Sequence, residues 1–335
     1  MSITIKDIAK IANVSITTVS LILNNKCHNI GEETIKRVRS IIEEHNYRPN
    51  ALARGLITSK TRTIGLLVPN ITNQFFAEIT KGVEDGLSEH GYNVFLCNSY
   101  NDIDKEKQYI RVLKEQRVEG VILSSTNTVT QDYYSYLKEQ GVAFVLLDRH
   151  ASEPLNNGII VDDRKGGFLA AQHLLELGHR KIGCLVESTG LCNIDERLHG
   201  YKDALAQYGV PYEEKFVVSG ELTIEGGCQA AIKLIEEQIV TAIFATNDLM
   251  AIGVYEAAIQ LGKRIPEDIS VVGFDDISFA HYLTPKLTTV RQPIYEIGRR
   301  AAANLIYILQ NKLYMPSTEV LDVELIIRNS TSSPR

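Results

Sequence analysis

The polar and aromatic residues of this sequence gather at the carboxyl ends of short apolar runs. Asn73, Phe75 and Phe76 follow "TIGLLVP", Asp148 and Arg149 close "VLLDR", Asn247 closes "IFATN", Asp275 closes "VVGFD", Gln292 follows "TTVR", and Arg197 lies in "DERLHGY". Any one of them alone reads most simply as a helix cap or turn residue, because Asn and Asp serve that role where a strand leads into a helix. Asp248 and Asp276, the next residues in two of these runs, are assigned that role. Taken together, the set describes a site for a polyol. Vicinal hydroxyls both donate and accept. Carboxylates accept from them, guanidinium forks donate to them, and aromatic rings cover the apolar face of a sugar.

Catalytic signatures are missing. The sequence has no G-x-G-x-x-G, no G-x-x-x-x-G-K-[ST], no H-E-x-x-H and no G-x-S-x-G. Its eight histidines form no ligand-spaced pair, and its five cysteines form no C-x-x-C pair. Reduced, idle thiols are therefore expected, with no metal, no cofactor, no catalytic residues and no enzyme activity. No apolar run approaches the roughly 20 residues of a membrane span. The opening "MSITIKDIAK" lacks an apolar signal core, so a cytoplasmic protein without membrane contact is expected.

The elements that must hold the polar set alternate between strand and helix from Thr61 onward. Strand candidates are "TIGLLVP", "YNVFLCNS", "EGVILSS", "AFVLLD", "GIIVDD", "KIGCLVE", "KFVVSG", "TAIFATND", "ISVVGFDD" and "LTTVRQ", and most precede a helical segment such as "NQFFAEITKGVEDGLSEHG". Short apolar runs separated by helices indicate parallel sheets covered on both faces. About ten strands exceed one comfortable sheet, so two doubly wound α/β lobes are expected. In such folds a ligand sits beyond the carboxyl ends of the strands, where the polar set lies.

The first sixty residues differ in kind. They hold nine Lys/Arg against five Asp/Glu, whereas the remaining 275 hold 26 against 36. A basic head on an acidic body suits a polyanionic partner. In "TIKDIAKIANVSITTVSLILNN", Thr4 can cap a helix that carries Ile5, Ile8, Ala9 and Ala12 on one face. Asn13 can make the left-handed turn, Val14 can plug the corner, and Ser15 offers a second cap before Val19 and Ile22. The spacing predicts a helix-turn-helix, followed by a third helix in "GEETIKRVRSIIEEHNY". The exposed start of the second helix, Ser15, Ile16, Thr17 and Thr18, is small and free of acid, which suits a major groove. Then comes "YRPNALARGL", a turn of amphipathic helix too short to persist alone, since isolated helices below roughly 12–15 residues are marginal.

"TIKDIAKIANVSITTVS" followed by "NYRPNALARGL" resembles the head of the lactose-repressor/galactose-repressor (LacI/GalR) family of bacterial transcription factors. "NQFFAEI", "ELGHRKIG", "ERLHGY", "ATNDLMAIG" and "SVVGFDD" resemble its periplasmic-binding-protein-like body. The resemblance implies a small all-α helix-turn-helix domain over 1–48, a hinge helix and linker over 49–60, and an effector-binding and dimerisation domain over 61–335. Its N-lobe would take about 61–161 and 290–321, and its C-lobe about 162–289 and 322–335.

By position, Ile16, Thr17 and Leu21 would face base edges, Thr18, Ser20 and Asn24 would lie against the phosphates, and Ser15 would meet the DNA beside them. Asn50, Ala53, Arg54 and Leu56 would act from the hinge, with Leu56 entering the minor groove as a wedge. Effector contacts would be Asn73, Phe75, Phe76, Asp148, Arg149, Arg197, Leu222, Asn247, Asp275 and Gln292. The implied partners are a pseudo-palindromic double-stranded operator, a second copy of the chain and a small carbohydrate, a pentose or small hexose with ribose as best match. The ending "NSTSSPR" adds no heptad helix, so a dimer and not a tetramer is expected.

Three positions depart from the family's pattern. Leu21 stands where Arg or His is common, so it cannot make a bidentate guanine contact. Gln74 replaces a common proline. Leu222 stands where some relatives place an aromatic ring, which weakens the case for a flat purine. A regulator of the same fold that answers a purine-type co-repressor or a phosphoprotein is the alternative arrangement.

Overall fold

The computed structural model describes residues 3–23, 25–47, 60–125, 130–148, 158–187, 191–237, 240–313 and 318–335. Two compact units divide the chain, Met1–Thr61 and Arg62–Arg335.

The first unit holds helices α1 (Ile5–Ile11), α2 (Ile16–Leu23) and α3 (Glu32–Glu44). A capping box starts α1: Thr4 Oγ1 accepts from the Asp7 amide, and the Asp7 carboxylate accepts from the Thr4 amide. Ser15 Oγ accepts from the Thr18 amide at 3.0 Å and caps α2. Each helix ends on an asparagine in the left-handed region, Asn13, Asn25 and Asn46. After each, the next amide reaches back five residues, Val14 to Ala9, Lys26 to Leu21 and Tyr47 to Ile42. The same stop signal is thus written three times. Ile8, Ala9, Ala12, Val19, Ile22 and Val38 form the buried centre.

In the second unit, the first sheet orders its strands β11-β5-β4-β3-β1-β2 and the second β12-β10-β9-β8-β6-β7. The first comprises β1 (Thr63–Val68), β2 (Asn93–Asn98), β3 (Gly120–Leu123), β4 (Ala143–Leu147), β5 (Gly158–Val161) and β11 (Glu319–Leu321). The second comprises β6 (Ile182–Glu187), β7 (Val217–Gly220), β8 (Ala242–Ala245), β9 (Ser270–Asp275), β10 (Thr288–Arg291) and β12 (Glu324–Ile326). All pairings are parallel except β10 with β12. Strand order reverses beside β1 in one lobe and β6 in the other, and such reversals open a crevice at the strands' carboxyl ends.

Helices α4 (Gln74–Ser88), α5 (Ile103–Glu115), α6 (Gln131–Glu139) and α11 (Ile294–Asn311) cover the first sheet. Helices α7 (Asp163–Glu176), α8 (Cys192–Gln207), α9 (Ile224–Glu236) and α10 (Asp248–Gln260) cover the second. One difference from the sequence pattern stands out: the tail strands β11 and β12 were not foreseen. The second sheet runs through Arg291, after which the chain crosses to the first lobe. Among the described residues no helix is long and apolar enough to cross a membrane.

Candidate functional site

Where the lobes face each other, a cavity of about 290 Å³ lies between the strand ends of both sheets. That is near the lower end of the roughly 300–1,000 Å³ typical of small-molecule sites. Asn73, Phe75, Phe76, Asp148, Arg197, Leu222, Asn247 and Asp275 line it. Arg149 lies outside the described residues.

Local chemistry explains each placement. Asn73 caps α4 by accepting from the Phe75 amide at 3.0 Å. The cap fixes Phe75 and Phe76 in the first turn, buried and edge-to-face with centroids 5.1 Å apart. Asn247 caps α10 in the same way, accepting from the Met250 amide at 2.8 Å. Asp148 follows β4 in the left-handed region, with φ 59°.

Arg197 is brought in by two glycines. A Cβ at Gly167 would lie 2.0 Å from the Arg197 carbonyl oxygen, and one at Gly200 would lie 2.0 Å from that of Arg164, so α7 and α8 touch backbone to backbone. The Arg197 guanidinium then donates from Nε to Asp163 at 2.7 Å and from Nη1 to the Thr246 carbonyl at 2.6 Å. It stacks 3.7 Å over the Phe274 ring and stands 3.8 Å from Asp275. Burial works against its charge, but Asp163, Asp275 and Asp148 outweigh that and raise its pKa. Burial pushes Asp275 up to about 7; Arg197 and the Gln292 hydrogen bond pull it down, and Asp148 adds to the rise.

Three sequence assignments are corrected. Gln292 does not line the cavity; it stands behind Asp275 and donates to it from Nε2 at 2.7 Å. Asp248 is not a cap. It is buried, accepting from Thr289 Oγ1 at 2.6 Å and the Ile277 amide at 2.9 Å. Burial and then Asp275 raise its pKa. Asp276 is no cap either; it pairs with Arg291 at 2.7 Å and Arg328 at 2.5 Å.

Asn70, Asn101, Glu187, Asn193 and Glu221 also line the cavity and were missed. Glu187 ends "KIGCLVE" and Glu221 follows "VVSG", so the strand-end rule could have found both. Gln74 spans the cleft: its Oε1 accepts from Ser278 Oγ at 2.9 Å and the Phe279 amide at 3.3 Å. Among the described residues no group of three or more His, Cys, Asp or Glu is placed to hold a metal ion.

In the head, α2 buries Val19 and Ile22 and exposes Ser15, Ile16, Thr17 and Leu21, with Thr18 and Ser20 half-buried. Ile16 is 44% exposed and Leu21 36%, apolar groups left facing solvent on an acid-free helix. Ser15 and Thr18 also share a hydroxyl contact of 2.8 Å. Asn24, Asn50, Ala53, Arg54 and Leu56 lie outside the described residues.

Comparison with known proteins decides the family. Residues 4–50 match the model for bacterial regulatory proteins of the lacI family, and residues 171–331 that for a periplasmic binding protein-like domain. The HTH-type transcriptional repressor PurR of Aliivibrio salmonicida is 37% identical over 328 residues, covering 98% of each chain. This chain belongs to the LacI family of DNA-binding transcriptional repressors. Among solved LacI-family structures, a regulator from Enterococcus faecium with bound ribose is 35% identical with a TM-score of 0.75, covering 82% of this chain and 100% of that one. The lac repressor dimer bound to operator and the anti-inducer ONPF is 26% identical with a TM-score of 0.89, covering 99% and 100%.

Proposed function

We propose that this LacI-family repressor binds a pseudo-palindromic operator as a cytoplasmic homodimer and releases it when a small, ribose-like sugar fills the cleft. The observation that carries the reading is the cavity lining. Asp148, Asp275, Asn247 and Arg197 offer acceptors and donors for vicinal hydroxyls beside the apolar edges of Phe75 and Phe76. The cavity's size suits a monosaccharide, and ribose occupies the relative from Enterococcus faecium.

In this reading Ile16, Thr17 and Leu21 meet base edges, Leu21 touching an apolar feature such as a thymine methyl. Thr18, Ser20 and Asn24 hold phosphates, with Ser15 facing the DNA at the start of the helix. Asn50, Ala53, Arg54 and Leu56 act from the hinge, and Arg149 completes the effector set, while Gln292 acts through Asp275. Dimerisation draws support from the outer strand β2, where Phe95 and Leu96 are 48% and 47% exposed.

A thermal-shift screen of monosaccharides and purine bases tests the effector. Ligand at 100 times its dissociation constant adds about 2.7 kcal/mol, so ribose should raise the unfolding midpoint. A response to a purine alone would replace the sugar.

A further inference from the structure

Asp275 reaches the cleft from an unfavourable backbone. Its φ is 126° and that of Asp276 is 59°, a half of the map that residues other than glycine enter at a cost. Such conformations persist where the surroundings over-determine them. Arg291 and Arg328 hold the Asp276 side chain. Asp248 holds the next link. Its buried carboxylate accepts from the Ile277 amide at 2.9 Å, two residues beyond Asp275, and from Thr289 Oγ1 on β10 at 2.6 Å.

Room for that carboxylate is kept in β9. A Cβ at Gly273 would lie 2.2 Å from Asp248 Oδ1, so glycine lets it approach the strand. The link is reciprocal, since the Asp248 amide favours the ionised form of the Asp275 carboxylate. Asp248 does not line the cavity, but it directly follows Asn247, which lines it and caps α10. The turn after β8 and the turn after β9 thus hold each other at the wall of the cleft.

We propose that Asp248 is a positioning residue of the effector site: by gripping the Ile277 amide and Thr289 it fixes the turn that presents Asp275 to the ligand. The inference rests on the reading of Asp275 as an acceptor for sugar hydroxyls.

The test is calorimetry with ribose on the full chain at pH 8. D248A removes the acceptor and should weaken ribose about tenfold, the worth of one hydrogen bond to a charged group. D248N, which can still accept from Ile277 and meet Thr289, should recover most of that loss. On a D275N background D248A should cost nothing further, because a residue that acts through Asp275 then has nothing to position. Wild-type affinity in D248A overturns the proposal, as do a D248N as weak as D248A and full additivity of D248A with D275N. Should D248A not fold, T289V removes one of the two contacts. It should weaken ribose about threefold, and only while Asp275 is present; no such loss overturns the proposal. If the wild-type chain does not bind ribose, the sugar reading fails, and Asp275 decides the proposal without ligand. Burial is the main cause of its rise to about 7. In ¹³C NMR of labelled aspartates its midpoint should therefore fall in D248A or T289V and stay in place in D248N, with D275N identifying the signal. A midpoint that never moves overturns the proposal, and so do equal falls in D248A and D248N.

Discussion

At the scale of residues, burial sets the ionisation of one cleft carboxylate, Asp275. Asp275 titrates near 7 because burial raises it and Asp148 adds to the rise, against the pull of Arg197 and Gln292. A sugar hydroxyl that donates to Asp275 needs the ionised form. Ribose affinity should therefore rise about tenfold from pH 6 to pH 8, measured by calorimetry, and D275N should flatten the profile. An unchanged affinity across that range would remove Asp275 as an acceptor. Arg197 carries a structural duty as well. Truncating it strands the buried Asp163 carboxylate, so R197A should lose about 3–5 kcal/mol of stability by denaturant titration, along with the sugar response. Neighbouring residues of the same type were not separable by sequence. In "GFDD" the first aspartate enters the cavity lining and the second pairs with Arg291 and Arg328. Successive residues at a strand end face different surroundings, and the letters alone do not say which faces the ligand.

At the scale of elements, the sequence was most legible where one local rule decides. The capping threonine and serine, the asparagine stop at Asn13 and the periodic burial of Ile8, Val19 and Val38 can all be read from the text, whereas the matching stops at Asn25 and Asn46 were missed. The strands β11 and β12 could not. Each has three residues, and their alternation of acid and aliphatic in "EVLDVELI" gives no continuous apolar run. They form by pairing with β5 and β10, partners distant in the chain. Glu187 and Glu221 escaped because an acidic residue after a strand also reads as an ordinary turn. The hinge is the element on which DNA affinity is proposed to depend. L56A should cost about 1.5–3 kcal/mol of operator binding, the burial of one leucine side chain. Ribose affinity should stay unchanged. Equal losses in both would show that Leu56 supports the fold and is no wedge.

At the scale of the whole molecule, the chain crosses between lobes and ends in a tail tied to the second lobe by two histidines. His173 meets Thr331 Oγ1 at 2.9 Å, and His179 meets the Ser332 carbonyl at 2.8 Å. Burial lowers the pKa of both; Glu176 opposes this at His173, and the Ser332 carbonyl opposes it at His179. A histidine held neutral in the fold takes up protons more readily when unfolded. Its stabilising contribution is present above the unfolded value of about 6.5 and is lost as pH falls below it. The unfolding midpoint should drop between pH 7 and pH 5, and H173Q/H179Q should weaken that dependence. Gln74, bonded across the cleft to Ser278 and Phe279, adds a direct tie between the lobes.

The most direct test of the account is fluorescence anisotropy with the full chain and a duplex selected from a randomised pool, titrated with and without saturating ribose. A coupling between sites typically changes affinity about 5–150-fold, so ribose should weaken duplex binding by about tenfold or more. A duplex affinity that ribose leaves unchanged, although ribose is bound, would contradict control of the DNA-binding head by the cleft.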